Sequence, residues 1–166
     1  MSNPNLDETK SAAEAFTRSY GAAISLTQQP NSSATEIATA LVRHYSPNFT
    51  AYDHGYTISP SEDPQFWLKG VTMHLERFQK AGLGWKMELQ SFRVEVTSAD
   101  AAKCHLTWAI EPKSTSGLEG WSWTNIYGWR NGEVDDRDGL RGAFVDVVSD
   151  EETENLMRRV PGFMEL

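Results

Sequence analysis

Four side chains of types that move protons or hold oxyanions stand where folding would desolvate them: Asp53, His74, Asn125 and Tyr20. Asp53 closes the short run Phe49-Thr-Ala-Tyr-Asp-His54, and because strand side chains alternate faces it shares a side with Phe49 and Ala51. A carboxylate ending an apolar row loses hydration, which disfavours its charged form and lifts its pKa toward the range of a general base. The alternative is a solvated Asp that begins the turn at Gly55. His74 falls on the stripe Trp67, Val71, His74, Leu75 and Phe78; it is either a hydrogen-bonded core histidine or, in a pocket, an acid or base near neutral pH. Tyr20 sits on the stripe Ala12, Phe16, Tyr20 and Ile24, where its ring packs and its hydroxyl reaches either a pocket or the backbone. Asn125 is the single amide on the face Trp121, Trp123, Asn125, Tyr127 and Trp129 of an alternating run. Such a face lines an apolar ligand pocket, fills a core, or meets a second subunit.

The elements that carry these residues follow from caps and periodicity. Residues 1–10 are read as a frayed tail, and Ser11-Ala-Ala-Glu14 has capping-box spacing for a first helix. Gln28 to Ser33 breaks it, and Ser33-Ala-Thr-Glu36 opens a second helix that runs to about Tyr45, with His44 at its edge as a surface or dipole partner. The strand 49–54 follows, then an irregular stretch over 56–62. Asp63 and Pro64 read as N-cap and first turn of the third helix, which Gly82-Leu-Gly84 ends. From Trp85 onward the pattern is antiparallel strand. The apolar parity slips near Gln90-Ser91, the mark of a β-bulge, and Cys104, Leu106, Trp108 and Ile110 then face inward. Asn131-Gly132 is the strongest hairpin signal, Asp135 to Gly139 a charged loop, and Leu140 to Val148 a last strand. Ser149-Asp-Glu-Glu152 repeats the capping box before a C-terminal helix through Arg159.

Composition narrows the partners. The 166 residues suit one α+β domain able to bury about 70% of its unfolded surface. A net charge of −8, from 23 acidic and 15 basic residues, argues against nucleic acid, which needs clustered Lys and Arg. The single cysteine, Cys104, rules out an internal disulfide and offers no zinc spacing. The start of the chain lacks the basic and apolar regions of a secretory signal, and no run approaches a membrane span, so the expectation is a cytoplasmic protein with no membrane partner. No Gly-x-Ser-x-Gly elbow points to a hydrolase.

Two helices, a short strand, a third helix and a run of long bent strands, with the segment Gly120-Trp-Ser-Trp-Thr-Asn-Ile-Tyr-Gly-Trp-Arg130, resemble the nuclear transport factor 2-like superfamily from about Ala12 to Phe163. The nearest branch is that of the polyketide cyclases, ketosteroid isomerases and scytalone dehydratase, and 120–130 is similar to strands in uncharacterised fungal members. The resemblance implies a cone-shaped sheet, mixed but mainly antiparallel, curled around a long helix and enclosing a pocket. It implies a cofactor-free and metal-free cyclase, isomerase or dehydratase, acting on a small apolar, polyketide- or terpenoid-derived molecule, in a homodimer. Ketosteroid isomerases carry their general-base aspartate eight residues after a helix-terminal tyrosine, the spacing of Tyr45 and Asp53 here. The same likeness makes Tyr20 an oxyanion donor and Asn125 a substitute for their second donor, chemistry of a general kind. His74 would return the proton, and Tyr52, Trp67, Trp108, Trp121, Trp123 and Tyr127 would hold the substrate. The competing expectation is a non-catalytic member of the fold that binds an apolar metabolite or dimerises through its aromatic face.

Overall fold

The caps and stripes resolve into three helices laid on one face of a bent sheet, with a fourth helix closing its side. The computed structural model describes residues 6–166. Helix α1 spans Leu6–Ile24 and α2 spans Ala34–Val42; strands β1 and β2 are Tyr45–Asp53 and Tyr56–Ile58; α3 is Phe66–Lys80. Strands β3 to β6 are Met87–Ser98, Ala101–Ile110, Trp121–Val134 and Arg141–Val148, and α4 is Asp150–Arg159. The sheet runs β2-β1-β6-β5-β4-β3, with β1 and β6 parallel and the other pairs antiparallel. This is an α+β fold with a curved mixed sheet.

The inner sheet face is the alternation expected from sequence. Cys104, Leu106, Trp108 and Ile110 of β4 and Trp121, Trp123, Asn125, Tyr127 and Trp129 of β5 are all buried. Phe49, Phe78, Phe144 and Phe163 are almost fully buried, each worth about 1.5–3 kcal/mol relative to exposure. The expected bulge falls between Leu89 and Ser91, and the β5–β6 pairing shifts again after Gly128 and after Arg130. Gly142, at φ 87°, faces the second of these shifts: a Cβ there would overlap the Arg130 carbonyl and the Trp129 ring. Bulges of this kind bend the sheet into a concave surface.

Several expected boundaries move, each for a visible reason. Helix α1 already runs through residues 6–10, so Ser11 is interior rather than a cap; residues 1–5 of the expected tail lie outside the described residues. Thr9 is buried and donates to the Ala99 carbonyl at 2.5 Å, tying the first turn to the β3–β4 turn. Helix α2 stops at Val42, and Tyr45 begins β1. His44 is buried at 3% exposure: Ser19 lies 3.0 Å from its Nε2, and its Nδ1 faces the Ala40 and Leu41 carbonyls. It is a core residue rather than a surface one, and its contact with the last carbonyls of α2 is the helix-end alternative of the expectation. Strand β2 forms inside the stretch read as irregular. Helix α3 begins at Phe66 after a turn in which Asp63 accepts from the Gln65 amide. Asn131-Gly132 does not turn; β5 continues past it, because the Asn131 amide bonds the Asp100 carbonyl. The hairpin closes instead where Asp135 takes the Arg137 amide and guanidinium and Gly139 adopts φ 69°.

Candidate active site

Between α3, the inner face of β1, β6, β5 and β4, and the first turn of α4 lies an apolar cavity of about 540 Å³, within the range of small-molecule sites. Helix α3 presents Trp67, Val71, His74 and Phe78 to it, the stripe read from its periodicity. One wall is aromatic: Tyr45 and Phe49 stack with centroids 3.9 Å apart, and the Trp67 indole packs edge-on and donates to the Phe49 carbonyl at 2.9 Å. The opposite wall is Trp108, Trp123, Asn125 and Tyr127.

Polar groups gather in two places. At the first, the Tyr20 hydroxyl lies 2.6 Å from that of Tyr45 and 3.3 Å from that of Tyr127. Burial pushes all three hydroxyls above their ordinary value, and for Tyr20 the neighbouring Tyr127 and Tyr45 add to it, which favours a neutral cluster whose two internal contacts leave one of its three protons to donate outward. At the second, His74 Nε2 is 2.9 Å from Glu152 Oε1, and Asn125 Nδ2 donates to Glu152 Oε2 at 2.8 Å. Burial alone would raise the Glu152 carboxyl, but the hydrogen bond and charge of His74 and the Asn125 amide bring it below its usual value. Asp53 stands beside this group. Its Oδ2 accepts from Thr153 Oγ1 at 2.7 Å, while Oδ1 is buried with no hydrogen-bond partner. Desolvation raises its carboxyl, against the Thr153 bond, and the nearby charges of Glu152 and Asp150 push the same way. Two carboxyls a few side chains apart are thereby driven in opposite directions. Among the described residues no group of three or more His, Cys, Asp or Glu side chains is placed to hold a metal ion.

Of the residues expected to act, Asp53, His74, Asn125 and Tyr20 all line this cavity, as do Trp67, Trp108, Trp123 and Tyr127. Two expectations fail. Tyr52 lies on the outer sheet face at 44% exposure, because its parity in β1 is opposite to that of Asp53. Trp121 is buried beyond the cavity, under the Arg159 guanidinium at 5.1 Å from its ring centre. Trp129 is likewise core, its indole donating to the Arg141 carbonyl. The Asn125 amide is also less free than expected, since one of its two N–H groups is committed to Glu152. Sequence reasoning missed Glu152 and Thr153. Their one signal, Ser149-x-x-Glu152, reads as a capping box; the helix does begin there, but Ser149 makes no side-chain cap and Glu152 turns into the cavity. Tyr45 was legible by its spacing from Asp53 but not as a member of the hydroxyl cluster.

Solved structures place this architecture. The fold is that of the nuclear transport factor 2-like proteins. A ketosteroid isomerase-like protein from Erwinia carotovora atroseptica superposes with a TM-score of 0.55 at 13% identity, covering 85% of this chain and 94% of its own. An NTF-2-like protein of unknown function from Shewanella oneidensis gives 0.54 at 10% identity, covering 83% and 95%. The association domain of CaMKII from C. elegans gives 0.50 at 15% identity, covering 88% and 98%. Identities this low establish the fold alone. No family model matches the chain, and no curated protein matches its sequence. No helix among the described residues is long and apolar enough to cross a membrane.

Proposed function

We propose that this protein is a cofactor-independent acid–base catalyst of the isomerase, cyclase or dehydratase kind, acting on a small apolar molecule. The observation that carries the reading is the meeting of Asp53, His74, Glu152 and Asn125 on the wall of one aromatic cavity. Asp53 removes a proton next to a carbonyl, using the oxygen left without a partner. The neutral hydroxyls around Tyr20, together with the second N–H of Asn125, stabilise the oxygen on which charge develops. His74, held against Glu152, delivers a proton to the substrate carbon or to a departing hydroxyl, and exchange with solvent then returns Asp53 and His74 to their starting forms. Trp67, Trp108, Trp123 and Tyr127 hold the rings. The apolar walls suit a polyketide- or terpenoid-derived substrate of secondary metabolism, and the likeness of 120–130 to strands of fungal members belongs to that reading. A cytoplasmic homodimer, with Tyr52 and Val148 of the outer sheet face at its contact, completes the proposal.

Hydrogen exchange tests the chemistry before the natural substrate is known. Incubated in deuterium oxide with a panel of polycyclic ketones, the protein is expected to label the carbon next to the carbonyl. Asp53→Asn should slow labelling by at least about 10²-fold. Binding without labelling, by the wild-type protein across the panel, would favour the second reading, a non-catalytic carrier of apolar metabolites. The aromatic walls and the mutual satisfaction of the Tyr20 and Tyr45 hydroxyls support that reading equally.

A further inference from the structure

The first turn of α4 is bound to the rest of the molecule residue by residue. The Ser149 amide donates to the Tyr52 carbonyl, Asp150 Oδ1 accepts from the His54 amide, and Glu151 accepts from the Thr124 amide. Glu152 then holds His74 of α3 and Asn125 of β5, and Thr153 holds Asp53 of β1. Every group assigned to proton transfer is thus fixed by one of two consecutive residues on a single helix turn. Neither side chain caps the helix: the cap that Ser149 and Glu152 could share is not made, and the Thr153 hydroxyl is spent on Asp53. Hydrogen bonds directed inward at a cavity, from a turn that makes no side-chain cap, are the arrangement of a positioning element.

We infer that Thr153 and Glu152 are the positioning residues of the site, Thr153 orienting the Asp53 carboxylate and Glu152 fixing the His74 ring and the Asn125 amide. This rests on the catalytic reading above for its purpose but not for its test. The Thr153 hydroxyl donates to Asp53 Oδ2, so it favours the ionised carboxylate and leaves Oδ1 as the oxygen available to a ligand. The other charged groups that face Asp53 are Glu152 and Asp150, which oppose its ionisation, and His54, which favours it. Glu152 accepts from His74 Nε2 and Asn125 Nδ2 with different oxygens, which sets the ring rotation of the one and the amide orientation of the other.

Carbon-13 NMR of aspartate-labelled protein reads Asp53 directly, its signal assigned by its absence in Asp53→Asn. In Thr153→Val, nearly the same size, the Asp53 midpoint should rise by about 0.5 to 1 pH unit, the equivalent of one neutral hydrogen bond, and Thr153→Ser should restore it. An unchanged midpoint in a folded Thr153→Val protein overturns the role of Thr153. For Glu152, the His74 ring N–H should give a slowly exchanging proton signal that Glu152→Gln weakens and Glu152→Ala abolishes; its persistence in Glu152→Ala overturns that role. Neither readout needs turnover. If both hold and deuterium labelling fails in the wild-type protein, the positioning stands and the catalytic reading falls. If labelling succeeds, Thr153→Val should lower kcat with little change in KM and shift the acid limb of the pH profile upward.

Discussion

Asp53 and His44 show how burial, the largest influence on each, sets opposite pH dependences within one small domain. The Asp53 carboxyl is raised in the folded state, chiefly by desolvation. A raised carboxyl binds its proton more tightly in the folded chain, so its contribution is most favourable at low pH and is lost as pH rises through the folded value. Asp53→Asn, which keeps an acceptor for Thr153, should therefore unfold at a higher temperature than wild type at pH 8, and the difference should vanish in acid; scanning calorimetry across pH 4–8 checks this. His44 runs the other way. Burial, the largest influence, holds its pKa below the usual 6.5, with the Leu41 carbonyl pulling against it. The stability of neutral His44 is present above 6.5 and is lost as pH falls through the lowered folded value. Thermal unfolding of wild type should thus weaken below about pH 6.5 more steeply than that of His44→Gln.

At the level of elements, two of the three capping-box sequences, those at Ser33 and Ser149, behave differently, and the difference is measurable. Ser33 makes the full box with Glu36, its Oγ accepting the Glu36 amide at 3.1 Å and Glu36 accepting the Ser33 amide at 2.8 Å. Ser33→Ala should cost about 1 kcal/mol in denaturant unfolding. Ser149 makes no side-chain cap, so Ser149→Ala should cost clearly less. Strand β5 also depends on a backbone approach: Gly142→Ala brings a Cβ against the Arg130 carbonyl and the Trp129 ring at positive φ. That change should destabilise by more than 1 kcal/mol, about the scale of an incompatible Gly replacement. The urea midpoint would show it, and a wild-type midpoint would mean the bulge relaxes.

Taken whole, the molecule is a bent sheet whose buried core leaves an apolar space beside it, which couples ligand binding to stability. Helix α3 leans on α2 and leaves the cavity between its inner stripe and the sheet. A compound bound at a hundred times its Kd stabilises by about 2.7 kcal/mol, and in a chain of this size each kcal/mol shifts Tm by about 2–4 °C. Apolar polycyclic ketones are expected to raise Tm accordingly. Trp108→Ala, in the cavity wall, should diminish the shift, whereas Tyr52→Ala, on the outer face, should leave it intact. Equal shifts in both variants would place the ligand elsewhere.

Local patterning decided most of what is regular here. The period of α3 put Trp67, Val71, His74 and Phe78 on one face, the parity of β1 put Asp53 with Phe49 and Ala51, and the slipped parity at Gln90-Ser91 marked the β3 bulge, because helix and strand geometry fix which side chains share a face. The single amide at Asn125 was visible for the same reason. What no local pattern could show was which distant groups would meet. Ser149-x-x-Glu152 satisfies a helix start or a cavity equally well in one dimension; only the packing of α4 beside β5 and β1 turned Glu152 to His74 and Asn125 and Thr153 to Asp53. Likewise His44 became core and Trp121 left the cavity through contacts across 25 and 38 residues, with Ser19 and Arg159. Short-range sterics wrote the faces; long-range desolvation and hydrogen bonding chose the site.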